Sequence, residues 1–182
     1  MTGFIHELVL LLLFASSGTA VAYLLGIRNI FLAVAAGTLI STTIRTLSFS
    51  TANLFDVLAL SGWAYVVLSL GLLILSSVLV KEKLLLAKGL ALAGSFAALA
   101  SVSTRIIGLS PIGHGDSRWI MTIAEHMQNG GDMGVLNGRT SIKRGFSYPQ
   151  LLALGPEGEY LSAITPFIFA SLALGAIWLL IE

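Results

Sequence analysis

The chain lacks cysteine and is poor in charge: Lys and Arg together number 10, Asp and Glu 9, and charged residues fill only 10% of 182 positions. The missing cysteine excludes disulfides, a thiol nucleophile and zinc–thiolate sites, and leaves the redox compartment unreadable. The scarcity of charge excludes a soluble domain, whose surface at this length needs far more of it. A net charge of +1 gives no electrostatic pull toward nucleic acid or an acidic partner. No internal repeat is evident. No G-x-x-x-x-G-K-S/T motif occurs, and the glycine-rich GHGDS follows an apolar run rather than a strand, so neither a P-loop nor a Rossmann reading holds.

What is present is apolar: hydrophobic residues make up 56% of the sequence, and the mean hydropathy is +0.93. Runs long enough to cross roughly 30 Å of hydrocarbon cover about 4–25, 30–49, 56–80, 84–109 and 161–181. Each must be helical, because hydrocarbon offers no partners for free backbone groups. The first run is long and has no basic leader, so it reads as a span rather than a cleaved signal peptide. The expected fold is therefore an all-α integral membrane protein of about five transmembrane helices.

Short-loop charges set the expected orientation. Arg28 marks one turn and Lys81, Glu82, Lys83 and Lys88 another, which places both turns in the cytoplasm by the positive-inside rule. The N-terminus, the 50–55 turn and the long 110–160 segment then lie outside. Arg45 and Arg105 oppose this weakly. Span four carries Gly89, Ala93, Ala97 and Ser101, small residues four apart that let helices approach closely. Span two carries Thr38, Ser41, Thr42, Thr43 and Thr46, which can bond back to their own helix or across to another. Glu7 and Arg45 are candidates for an intramembrane ion pair.

The stretch GHGDSRWIMTIAEHMQNGGDMG, residues 113–134, breaks the apolar pattern. From 116 to 128 the periodicity is helical, with Trp119, Ile120, Ile123 and Met127 on one stripe. This predicts a short amphipathic helix at the membrane surface, anchored by Trp119 and ended by Gly130 and Gly131. A basic loop, GVLNGRTSIKRGF, follows, and then Tyr148–Pro149 leads into QLLALG.

A Gly-Asp pair opening an outer loop, an interfacial helix of the form xxWIxxIAxxMQxGG and the later RGFSYPQLLAL together resemble the GT-C glycosyltransferases. These are multi-spanning enzymes that use polyprenyl-phosphate sugars, among them protein mannosyltransferases and aminoarabinose transferases. The resemblance runs from span four to span five. It divides the chain into an N-terminal three-helix segment, 1–80, and a GT-C-like core start, 81–182. It implies that an acid in the first outer loop is the catalytic base, and the matching residue is Asp116. The pattern departs from the family in two respects: Ser117 stands where a second acid usually follows, and family members carry many more spans. The chain thus reads as the N-terminal part of a larger enzyme or as a short relative.

The chemistry of the residues agrees with that assignment. Transfer from a lipid phosphate to a hydroxyl needs a carboxylate to take the acceptor's proton, and cations to meet the leaving phosphate. Asp116 is the candidate catalytic residue, and Arg118, Arg139, Lys143, Arg144 and Tyr148 are the candidate substrate-binding residues. Each has a plainer role available: Asp116 as a helix N-cap, Asp132 as a turn residue, Glu157 and Glu159 at a helix start, and the basic run as a contact for anionic headgroups. No cofactor or metal is assigned. His114, Asp116, His126 and Asp132 could surround a divalent cation, but their spacing is not that of a tight ligand set.

Two functions follow from these readings. One is a membrane glycosyltransferase, whole or in part, moving a sugar from a polyprenyl-phosphate donor to an extracytoplasmic acceptor. The other is a non-catalytic membrane subunit whose outer loop docks a lipid carrier or a partner. A transporter is weaker, because no paired, broken spans recur in two halves. The absence of native cysteine allows a direct check of orientation. A single cysteine replacing Ser141 is expected to react with an impermeant thiol reagent in intact cells, and one replacing Glu82 to stay unlabelled; the reverse pattern overturns the orientation.

Overall fold

The computed structural model describes residues 2–55, 57, 60–106 and 163–181. All regular structure among them is helical: α1 (Thr2–Leu24), α2 (Ile30–Leu54), α3 (Ser61–Leu79), α4 (Lys83–Ile106) and α5 (Ile164–Ile181). All five are long and apolar enough to cross a membrane. The shortest of the first four, α3, has 19 residues and rises about 28 Å, close to the hydrocarbon thickness. Over the described residues the chain is an all-helical, multi-span membrane protein. Helix α2 runs past its apolar stretch to Leu54, and α3 starts at Ser61 rather than near 56, because backbone turns at Val57 and Leu60 intervene. The expected interfacial helix 116–128 lies outside the described residues.

Helices α1 and α2 form the central pair. The others pack around them, α3 and α4 against both, and α5 against α2 and α4. Buried residues make up 61% of the α1 span, against 22% for α3 and α5. The pair is joined by a short turn whose chemistry is complete. Gly26 takes φ +92°, a conformation that suits glycine, and the Gly26 and Ile27 amides donate to the carbonyls of Tyr23 and Ala22 at 3.0 and 3.1 Å. That is a Schellman close. Asn29 then caps α2, its Oδ1 accepting from Phe31 and Leu32 at 2.9 and 3.1 Å.

The pair approaches closest at Gly18 and Gly37. A Cβ built on Gly18 would overlap the Gly37 carbonyl oxygen, and one built on Gly37 would stand 2.5 Å from the Thr19 nitrogen. Backbones in such contact gain dispersion and polar contacts unavailable to larger side chains. Ser41 Oγ donates across the seam to the Phe14 carbonyl. Thr38, Thr42, Thr43 and Thr46 bond back to carbonyls four residues earlier on α2. Both expected uses of these hydroxyls therefore occur.

Small residues also seat the outer helices. Ala93, Ala97 and Ser101 of α4 are buried, and Gly89 leaves space for the Tyr23 ring, so the stripe read in span four is a packing face. Gly175 of α5 faces Ala35 of α2. Phe14 meets Phe167 edge-on at 6.1 Å, and Phe31 meets Trp178 at 4.9 Å. At the tight-turn end Arg28 pairs with Glu82 at 3.2 Å, both about half exposed, a geometry worth at most about 1 kcal/mol. Lys83 Nζ closes α3 by donating to the Ser77 and Val78 carbonyls.

Two substitutions test the central contact. Gly18→Ala is expected to lower stability in detergent by at least the roughly 1–3 kcal/mol of overpacking, since helix backbone cannot retreat like a side chain. Gly71→Ala, whose Cβ meets nothing within 4 Å, is expected to be neutral or to gain up to about 1 kcal/mol of helix propensity. Equal thermal unfolding of the two variants would show that the contact does not hold the bundle.

Candidate functional site

Up-and-down passage of α1 to α4 puts the start of α1, the end of α2, the start of α3 and the end of α4 at one end of the bundle. The start of α5 joins them there: the Ala163 amide donates to Glu7 Oε1 at 3.2 Å. Ile106 and Ala163, the described residues that flank 107–162, therefore stand at the same end. The catalytic candidate Asp116 lies outside the described residues. So do the substrate-binding candidates Arg118, Arg139, Lys143, Arg144 and Tyr148, and the candidate cation ligands His114, His126 and Asp132. Among the described residues no group of three His, Cys, Asp or Glu is placed to hold a metal.

The described part of this end concentrates the polar groups that a membrane protein can least easily hide. Glu7 is 4% exposed and Arg45 1%. Such charges are costly in hydrocarbon and mark functional or architectural centres. Each makes a hydrogen bond to the backbone at the start of another helix. Glu7 accepts from the amide of Ala163, the residue that precedes α5, and so acts as an N-cap supplied by another helix, with its carboxyl group at the positive end of the α5 dipole. Arg45 Nη1 donates to the Ser61 carbonyl in the first turn of α3 at 2.9 Å. Both are therefore tethers, one holding α5 to α1 and the other α3 to α2.

Below Arg45 lies a seam of hydroxyls from three helices. Tyr65 of α3 is fully buried, with its hydroxyl among those of Ser17, Ser41 and Ser69. Ser17 and Ser41 are already engaged with the Phe14 carbonyl and each other. The seam has a sequence signal in SGWAYVVLSLGLLILSS, where Ser61, Tyr65 and Ser69 recur every fourth position, a period that puts them on one helix face. Sequence reasoning missed it because the surrounding run is so strongly apolar.

Apolar grooves flank α3 on both sides in the same half of the bundle. One, about 390 Å³, lies between α1 and α3 along Val9, Leu13, Ser16, Trp63 and Leu70, with His6 at its membrane-surface end. The other, about 370 Å³, lies between α2 and α3 along Leu47, Thr51, Phe55, Leu60 and Leu68. Their linings suit hydrocarbon.

The Glu7 tether makes a separable forecast. Glu7→Gln keeps an acceptor for the Ala163 amide, and Glu7→Leu does not. The Leu variant is expected to lose about 1.5–3 kcal/mol, the range for a hydrogen bond to a charged group, while the Gln variant melts near the parent in detergent. Indistinguishable melting of Leu and Gln variants would remove Glu7 as the α5 cap.

Compared with protein-family models, curated proteins and solved structures, the chain matches none.

Proposed function

We propose that the protein is a membrane glycosyltransferase, or the N-terminal part of one, that moves a sugar from a polyprenyl-phosphate donor to an acceptor outside the cytoplasm. In this reading Asp116 is the general base, and Arg118, Arg139, Lys143, Arg144 and Tyr148 bind the donor. The observation that carries it is the sequence of residues 113–148: one carboxylate opening an amphipathic stretch, followed by a basic run, in a chain otherwise built of apolar helices. The resemblance of this stretch to the GT-C enzymes points the same way. Two features of the bundle support it. The roots of the segment, Ile106 and Ala163, share one end, and apolar grooves open beside that end. The opposite end carries exposed Lys81, Lys83 and Lys88 and half-exposed Arg28. That charge favours a cytoplasmic location, which agrees with the outer location this reading gives to the donor and to 107–162.

The alternative, a non-catalytic subunit that docks a lipid carrier, draws on the same grooves and needs no base. Asp116 separates the two. Asp116→Asn keeps a good N-cap, because Asn ranks beside Asp there, but removes the proton acceptor. Introduced at the natural locus, it is expected to lower transfer from a radiolabelled polyprenyl-phosphate hexose by about 10²–10⁴-fold while expression and melting hold. Near-normal transfer by Asp116→Asn, with only Asp116→Ala losing stability, would make Asp116 a cap and favour the subunit.

A further inference from the structure

The end of the bundle opposite the roots of 107–162 carries a charge cluster of its own. Its two short turns and the start of α4 hold Arg28, Lys81, Lys83 and Lys88 against one acid, Glu82. Glu182, which follows α5, lies outside the described residues. The four cations are engaged to different degrees. Arg28 is committed twice, to Glu82 at 3.2 Å and to the Tyr23 carbonyl at 3.3 Å, so that cation and that acid offset each other. Lys83 Nζ donates to the Ser77 and Val78 carbonyls, which occupies two of its three N–H groups and leaves its charge in place. Lys81 and Lys88 meet no carboxylate among the described residues.

Lys83 and Lys88 line a surface depression of about 360 Å³ together with Glu82, Leu84 and Leu85, and Lys81 stands next to it in the chain. Leu84, which is 71% exposed, and Lys88 are four positions apart on α4 and so share a face. Lys88 starts about 7.5 Å inside the end of its helix. Helical side chains lean toward the N-terminus, which carries its ammonium back to the membrane surface while its stem covers the leucines. The depression thus has a cationic rim at headgroup level and an apolar wall toward the hydrocarbon. A soluble anion has no use for the leucines. A zwitterionic lipid brings its own cation to a rim whose only carboxylate is already held by Arg28.

We propose that this depression seats the headgroup of one anionic phospholipid from the adjoining leaflet. Lys83 and Lys88 meet its phosphate, Lys81 adds charge beside them, and an acyl chain lies over Leu84. The lipid braces the α3–α4 turn, which the Arg28–Glu82 pair already ties to the α1–α2 turn. Attraction of this kind contributes about fivefold in affinity per lysine. The inference rests on charge and shape at this end and is independent of the proposed reaction.

The cysteine-free chain allows a local readout. A bimane fluorophore on Leu84→Cys reports lipids at the depression, and one on Leu39→Cys reports the exposed face of α2. In phosphatidylcholine vesicles, the full chain is titrated with brominated phosphatidylglycerol or brominated phosphatidylcholine as quencher. At position 84 the mole fraction for half quenching is expected to be about tenfold or more lower for phosphatidylglycerol. At position 39 the two lipids are expected to quench alike. Equal quenching at position 84, or the same preference at both positions, would overturn the seat. In the L84C background, Lys81→Gln with Lys88→Gln is expected to bring the two lipids within about twofold of each other, and Lys81→Arg with Lys88→Arg to keep the preference. A preference that survives the Gln pair, or is lost with the Arg pair, would count against a charge-held headgroup. At about 0.5 M salt, where the screening length is about 4 Å, a seated headgroup keeps most of its preference. Its complete loss there would leave only diffuse attraction to a basic surface and overturn the proposal.

Discussion

Where α1 and α2 cross, Gly18 and Gly37 bring backbone against backbone, and the remaining helices are arranged about that approach. The contact draws the two helices together, which is why Ser41 can reach the Phe14 carbonyl on the other helix and why α1 is the most enclosed of the five. Lipid is as apolar as leucine, so side-chain hydrophobicity cannot draw helices together inside a bilayer; close approach and internal hydrogen bonds must do so. A compact α1–α2 pair then offers grooves and small-residue patches to its neighbours. Gly89 admits the Tyr23 ring, and Gly175 admits Ala35.

The same solvent explains the inversion of polarity. Soluble helices turn charged faces outward, whereas here the buried residues include Glu7, Arg45 and serines such as Ser48 and Ser61, with leucine, valine and tryptophan outside. Glu7 accepts from an amide at the start of α5, which has no partner along its own helix, and Arg45 adds a bond to a first-turn carbonyl of α3. Each thereby ties its helix to a second one. The bundle end that holds the roots of 107–162 is thereby tied together by polar bonds, while the opposite end is closed by short turns and backbone capping.

Much of the architecture was readable from sequence, for a physical reason: the bilayer demands an uninterrupted apolar helix of nearly fixed length, and five such runs stand out. Helix ends were less legible. The extension of α2 past Phe49 depends on backbone bonding that continues through Ser50–Leu54, residues whose composition suggests a loop. The small-residue stripe of α4 was visible in its four-residue spacing. The backbone partners of Glu7 and Arg45 were not, since Glu7 bonds to an amide 156 positions away and backbone groups leave no mark on side-chain composition. The proposed site residues, Asp116 and the basic run behind it, rest on residue type and resemblance, and lie outside the described residues.

The short turn between α1 and α2 also bears on how the protein enters its membrane. An arginine inside a span raises the cost of insertion by up to about 2.5–3.5 kcal/mol at the centre of a helix, and α2 carries Arg45 together with a line of threonines. Only residues 25–29 separate it from α1, so α1 is still beside the exit of the translocation machinery when α2 emerges. The two can cross as a hairpin, with the Gly18–Gly37 contact formed during synthesis and the polar face of α2 covered before it meets lipid. Biogenesis would then be order-dependent: lengthening that turn would hinder integration of α2 even where the finished bundle could accommodate the extra residues.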